Sequence, residues 1–155
     1  MKMSVSLEAQ YEKYKTKLVP FAYNIVGDSL AAEDVVQEIL NTYFLNDSAH
    51  IQEPDKYLMR SVINRARSRA RRRGRETAAL SWVAPNPSVE DTYSSPDLLR
   101  LVAELPVQQR AAVYLVYWED LAPVEAARVM GVRPGTLRRY LHDARHRLEG
   151  VLDDR

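Results

Sequence analysis

Between Leu121 and Leu148 the chain reads LAPVEAARVMGVRPGTLRRYLHDARHRL, a run that few folds can accommodate. Ala126, Ala127 and Met130 recur at helical spacing, which predicts a short helix with a narrow apolar stripe. Gly131 stands where helices commonly stop in a left-handed conformation that glycine adopts cheaply. Pro134 suits the first turn of a new helix, where its missing N–H costs nothing. In that second helix Leu137, Leu141, Ala144 and Leu148 face inward, leaving Thr136, Arg138, Arg139, His142 and Arg145 on other faces. A short helix, a glycine turn and a cationic second helix make a helix-turn-helix, a device for reading DNA. The plain alternative is a helical hairpin with a solvated arginine face. The small residues Ala126 and Ala127 speak against it, because they let two helices cross closely and steeply.

A chain of 155 residues can form one domain or two small ones. Without cysteine there are no disulfides, thiolate zinc sites or cysteine nucleophiles, which fits a reducing compartment. No apolar run approaches the roughly 18 residues a membrane helix needs, and the N-terminal stretch lacks an apolar signal region. These features predict a cytoplasmic protein with no membrane contact. The net charge of +1 argues against nucleic acid until its distribution is considered. From Lys56 to Arg75 there is no acidic residue, while Arg60, Arg65, Arg67, Arg69, Arg71, Arg72, Arg73 and Arg75 accumulate. Acids gather at Glu33, Asp34 and Glu38, and again at Glu90, Asp91 and Asp97. Such segregation predicts one surface for phosphates and another for a different partner.

Apolar periodicity predicts a first helix over about Leu7–Ile25, broken at Gly27 and Asp28, and a second over Leu30–Leu45 capped by Asp28 or Ser29. Pro54 opens a third helix, packed through Tyr57, Leu58, Val62, Ile63 and Ala66, which continues as an arginine stalk. The prolines and serines from Thr77 to Pro96 mark a linker, with Trp82 and Val83 its only bulky apolar residues. A helix over about Asp97–Glu104 and another from Pro106 to about Trp118 lead into the helix-turn-helix. No segment alternates as a half-buried strand does. The expected fold is all-α: a helical domain at 1–76, a flexible linker at 77–96 and a helix-turn-helix domain at 97–155.

Three segments in order carry a resemblance. They are AAEDVVQEIL (Ala31–Leu40), YLMRSVINRARSRARRR with Asn64 in its core, and Ala103–Leu148 almost throughout. With them the chain resembles a bacterial RNA polymerase sigma factor of the small, two-domain extracytoplasmic-function group within the sigma-70 family. The resemblance implies that Glu33, Asp34, Gln37, Glu38 and Leu40 dock on the clamp helices of the polymerase largest subunit. A solvated acidic helix start, favoured by the helix dipole, explains Glu33 and Asp34 but says nothing of Gln37.

It further implies that the third helix opens a promoter at its −10 element by capturing unpaired bases, the loop at Asn46–Gln52 completing the pocket. Tyr57 offers a ring for stacking or for packing, Asn64 an amide, and Arg60, Arg65, Arg67 and Arg71 bind phosphates; an exposed solubilising stalk is the alternative. The C-terminal module is expected to read the −35 element. There Arg133, Thr136, Arg138 and Arg139 face bases or nearby phosphates, and His142 and Arg145 face phosphates. The implied partners are promoter DNA, the clamp helices and flap of core polymerase, and an anti-sigma protein. The resemblance also implies that the linker threads toward the RNA exit path, either as a plain tether or with Glu90 and Asp91 mimicking nucleic-acid charge.

Three positions depart from the family pattern: Arg133 replaces the usual serine or threonine cap, and Tyr140 and Asp143 stand where basic residues are common. Neither a catalytic constellation nor a cofactor motif is present. The histidines His50, His142 and His146 make no plausible zinc set without cysteines, although His142 and His146 lie four apart on one helix. Two other functions compete: a dimeric helix-turn-helix regulator acting without polymerase, and an interaction protein whose arginine stalk binds an acidic partner protein.

Overall fold

Gly27 ends the first helix of the protein, whose computed structural model describes residues 2–46, 48–76 and 96–153. α1 spans Lys2–Val26, starting earlier than the apolar spacing predicts because neither glycine nor proline interrupts its first turns. It runs through Pro20 unbroken; Thr16 and Pro20 are both exposed, so the carbonyl that proline leaves unbonded lies on the solvent side. Gly27 adopts φ +89° and donates to the Tyr23 carbonyl at 2.8 Å. Asp28 then caps α2 (Ser29–Leu45), its carboxylate accepting from the Leu30 N–H at 3.1 Å. α3 spans Pro54–Glu76.

Leu18, Phe21, Ala22 and Ile25 of α1 meet Val35, Val36, Ile39 and Leu40 of α2 and Leu58, Val62 and Ile63 of α3 in the N-terminal core. Tyr43 anchors an aromatic group at one end, its ring centroid 5.1 Å from Phe44, 5.9 Å from Tyr14 and 6.2 Å from Tyr57.

The C-terminal set comprises α4 (Pro96–Ala103), α5 (Val107–Val113), α6 (Pro123–Met130) and α7 (Pro134–Asp153). The single helix predicted from Pro106 to Trp118 differs in the structure. Its second half, Tyr114–Trp118, widens into a π-helical turn closed by Glu119 N–H to the Tyr114 carbonyl at 2.9 Å. Asp120 follows with φ +56°, a left-handed conformation that aspartate tolerates better than most residues, and turns the chain into α6. Gly131 is left-handed as its position predicts, with φ +70° and ψ +33°, and Val132 N–H returns to the Ala127 carbonyl at 3.0 Å. Ala126, Ala127, Leu137 and Ala144 are buried where the two helices cross. The expected linker, with Trp82, Val83, Glu90 and Asp91, lies outside the described residues.

The described residues form helices and no strands, in the two helical sets expected, and the sets touch. α3 packs on α5 and α6, α1 meets α5, and the buried residues of both sets form one cluster. Arg110 of α5 lies at this junction. Its Nη2 and Nε donate to the Ile25 carbonyl at 2.6 and 3.1 Å, and its Nη1 donates to the carbonyls of Ala103 and Leu105, each at 3.0 Å. Those carbonyls lie at the ends of α1 and α4 and in the turn from α4 into α5, where helices leave acceptors without partners. Burial pushes the guanidinium pKa down from its ordinary value.

Replacing Arg110 by alanine strands these buried acceptors and is expected to cost about 3 kcal/mol in urea unfolding. Lysine at this position recovers only part, since an ammonium lacks the planar fork. Glu119 makes the opposite case: burial raises its pKa above the ordinary 4.5, Lys17 lowers it in part, and Asp120 and Asp55 raise it further. A carboxyl whose pKa is higher folded than unfolded stabilises the fold below its ordinary range and loses that contribution as pH rises through the raised value. Glu119→Gln is therefore expected to raise Tm at pH 7, the gain vanishing below the ordinary carboxylate range; an unchanged Tm at pH 7 contradicts this.

Candidate nucleic-acid interface

α7 presents its cations as the sequence predicts, although not all on one face. Arg138, Arg139 and His142 are exposed together, and Arg133 is exposed just before the helix. The Arg133 carbonyl accepts from the Leu137 N–H at 3.1 Å, so Arg133 holds the cap position with its side chain free for another use. Thr136 is half-buried beside them. Asp143 lies 4.0 Å from the Arg139 Nε one turn away, so its charge is partly offset within α7.

Arg145 is exposed two turns after Arg138 on the same side of α7. Its Nη2 donates to the Tyr117 hydroxyl at 3.3 Å, at the rim of a largely apolar groove of about 330 Å³ that includes Leu98, Val102, Trp118, Leu141 and Leu148.

On α3, Tyr57 and Arg65 line one cavity, and Asn64 is exposed outside its lining. Tyr57 is 46% exposed and lines a cavity of about 200 Å³ with Tyr43, Thr42, Asn46, Ser48, His50, Ser61 and Arg65. Its ring is thus half packed on Tyr43 and half open, which accommodates both uses of the residue. The cavity joins an open aromatic face to hydroxyl, amide and imidazole groups and a guanidinium, a set suited to an unstacked base and its phosphate. Sequence reasoning placed the Asn46–Gln52 loop here without resolving which of its residues contribute. Ser61 was missed, and its spacing of four from both Tyr57 and Arg65 is the signal that finds it. Arg60 and Arg67 occupy a neighbouring side of α3 with Lys56, facing away from the cavity. Arg71 is exposed further along the stalk.

On α2, Glu33, Asp34, Gln37 and Glu38 are exposed. Leu40, grouped with them from the family pattern, is fully buried in the N-terminal core. Its expected contact with a partner is therefore corrected: its helical position turns it toward α1 and α3. An unforeseen link joins the acidic helix to the stalk, Arg65 Nη1 to Glu38 Oε2 at 2.8 Å with both side chains more than half exposed. Among the described residues no cluster of metal-ligating side chains occurs, and no helix is long and apolar enough to cross a membrane.

With this geometry in view, comparison with known proteins matches residues 10–76 to the family model of sigma-70 region 2 and residues 96–148 to that of sigma-70 region 4. The chain is 31% identical over 156 residues to the RNA polymerase sigma-E factor of Streptomyces avermitilis, spanning 94% of this chain and 87% of that protein. Identity to the ECF RNA polymerase sigma factor SigW of Bacillus subtilis is 24%, over 91% of this chain and 86% of the relative. Among solved structures, the sigma factor RpoE of Bartonella quintana, crystallised with the anti-sigma factor NepR, superposes with a TM-score of 0.74 at 23% identity. That match covers 96% of this chain and 97% of the other, and it shows a shared fold.

The burial of Leu40 yields a direct check. Leu40→Ala is expected to destabilise the protein by about 3 kcal/mol in urea unfolding, as cavity-forming substitutions do. Gln37→Ala on the adjacent exposed face is expected to change stability by no more than ~0.5 kcal/mol.

Proposed function

The chain belongs to the extracytoplasmic-function group of sigma-70 RNA polymerase sigma factors, which direct core polymerase to promoters, and from that premise we propose how this molecule divides the work. The N-terminal unit, residues 1–76, docks on the polymerase clamp helices through Glu33, Asp34, Gln37 and Glu38. It opens the −10 element by taking an unstacked base into the cavity beside Tyr57, with Arg65 holding phosphate and Asn64 and Arg71 following the displaced strand. The C-terminal unit, residues 97–155, reads the −35 element by inserting the start of α7 into the major groove, where Arg138 and Arg139 reach base edges or phosphates. The apolar groove beside Tyr117 receives the polymerase flap. An anti-sigma protein is a further partner. A subunit of this kind works beside the polymerase in the cytoplasm, as a binding factor rather than an enzyme.

This division is supported by two separate features, a roomy aromatic cavity beside Tyr57 and a solvent-facing cationic α7. A dimeric regulator needs only the second, and the relatives' alignment across both helical sets does not favour it.

In vitro transcription with purified core polymerase tests the reading. Arg138→Ala with Arg139→Ala is expected to reduce −35-dependent initiation about tenfold or more, each lost bidentate contact being worth ~1–3 kcal/mol, while association with core persists. Tyr57→Ala is expected to suppress strand opening, measured by permanganate reactivity of unpaired thymines, without abolishing closed-complex formation. Promoter-dependent transcripts that never form with the unaltered chain defeat the reading.

A further inference from the structure

Asp143 is an acid on a helix that meets a polyanion, at a position where basic residues are common. Its carboxylate lies 4.0 Å from the Nε of Arg139, an ion pair between residues four apart on one side of α7. The Arg139 side chain is 81% exposed. At about 100° per residue it stands almost opposite Leu137, Leu141, Ala144 and Leu148, which seat α7 on the core. A helix lying in the major groove turns that outer side to the base edges. Arg138 falls on a flank instead, in a stripe with His142 and Arg145. Four residues on from Arg138 stands a histidine, and four on from Arg139 stands an acid.

The chemistry of the groove treats these two arginines differently. Phosphates carry negative charge, so they favour the cationic stripe of Arg138 and are repelled where a carboxylate stands beside the arginine. Base edges are uncharged and tolerate that carboxylate. An acid facing Nε also occupies one edge of the guanidinium and leaves Nη1 and Nη2 at its end as a pair of donors. In the major groove only guanine meets such a pair with two acceptors, O6 and N7. Adenine places an amino donor beside its N7, and thymine a methyl group beside its O4.

We propose that Arg139, positioned by Asp143, reads one guanine of the −35 element, and that Arg138 grips phosphate beside it. The inference rests on the sigma reading above. Asp143 acts through Arg139: it fixes which edge of the fork faces the DNA and turns phosphate away from it.

Holoenzyme assembled from core polymerase and the full chain tests this on promoter fragments randomised across the −35 element, the bound fraction being sequenced. The parent is expected to enrich guanine at one position about tenfold or more over the other bases, as a bidentate contact does. Arg139→Ala is expected to lose the preference at that position and keep the others. Asp143→Asn, which preserves size and removes charge, is expected to lose most of the same preference while binding unrelated duplex DNA a few-fold more tightly. Asp143→Glu is expected to retain the preference. Arg138→Ala is expected to leave every base preference in place, weaken binding to all fragments alike and reduce the salt slope by about 1. Far-UV circular dichroism and association with core verify that each variant is folded. A parent that selects no guanine, a guanine preference that survives Arg139→Ala or Asp143→Asn, or one that Arg138→Ala removes overturns the assignment. If the parent still supports promoter-dependent transcription in that case, the sigma reading stands without it; if the parent supports none with core polymerase, both fall.

Discussion

A guanidinium withdrawn from water must be satisfied by fixed acceptors, and Arg110 finds them where helices end. The carbonyls of Ile25, Ala103 and Leu105 are acceptors that α1, α4 and the turn into α5 leave without helical partners, and the planar fork of one arginine meets all three. α1 is thereby tied to the corner from which the C-terminal set begins. The position of α5 decides where the π-helical turn, α6 and α7 follow, so the placement of α7 relative to α3 depends on this bond set.

Local stops and starts then aim each exposed face. Asp28 caps α2 in a register that directs Val35, Val36, Ile39 and Leu40 inward and leaves Glu33, Asp34, Gln37 and Glu38 outside. At the other end of the chain, Gly131 ends α6 in a left-handed conformation, and Leu137 and Ala144 seat α7 so that Arg138, Arg139 and His142 face solvent. Between them the π-helical turn adds a residue to the expected helix, and the left-handed Asp120 completes the change of direction into α6.

Much of this was legible because helix stops and apolar periods are local. Gly131, Pro134 and the inward residues of α7 follow from spacing alone. Leu40 illustrates how a motif misleads: it lies within a segment recognised for its surface acids, and only its helical angle reveals that it belongs to the core. The π-helical turn left no periodic trace, since five residues are too few to establish a different repeat. Arg110 was illegible for another reason. Its acceptors are backbone carbonyls, which carry no sequence identity, and one of them lies 85 positions away. The cavity beside Tyr57 was foreseen as a loop and a ring, but its hydroxyl lining depends on how α2, the loop and α3 meet.

Charge was the least reliable guide, for a physical reason. The sequence separates acids from arginines so clearly that two independent patches seem required. Folding joins them again: Glu38 pairs with Arg65, Glu125 with Lys56, and Asp55 with Lys17 at 2.9 Å. Each pair is at least partly solvated, and such pairs contribute little individually. Phosphates and the charged side chains of a partner can therefore replace them at small cost. Glu38 lies on the exposed acidic face of α2 and Arg65 at the cavity beside Tyr57. A contact that occupies Glu38 leaves Arg65, at the lining of the cavity, without this ion pair, so the acidic face of α2 and the cavity share one exchangeable bond.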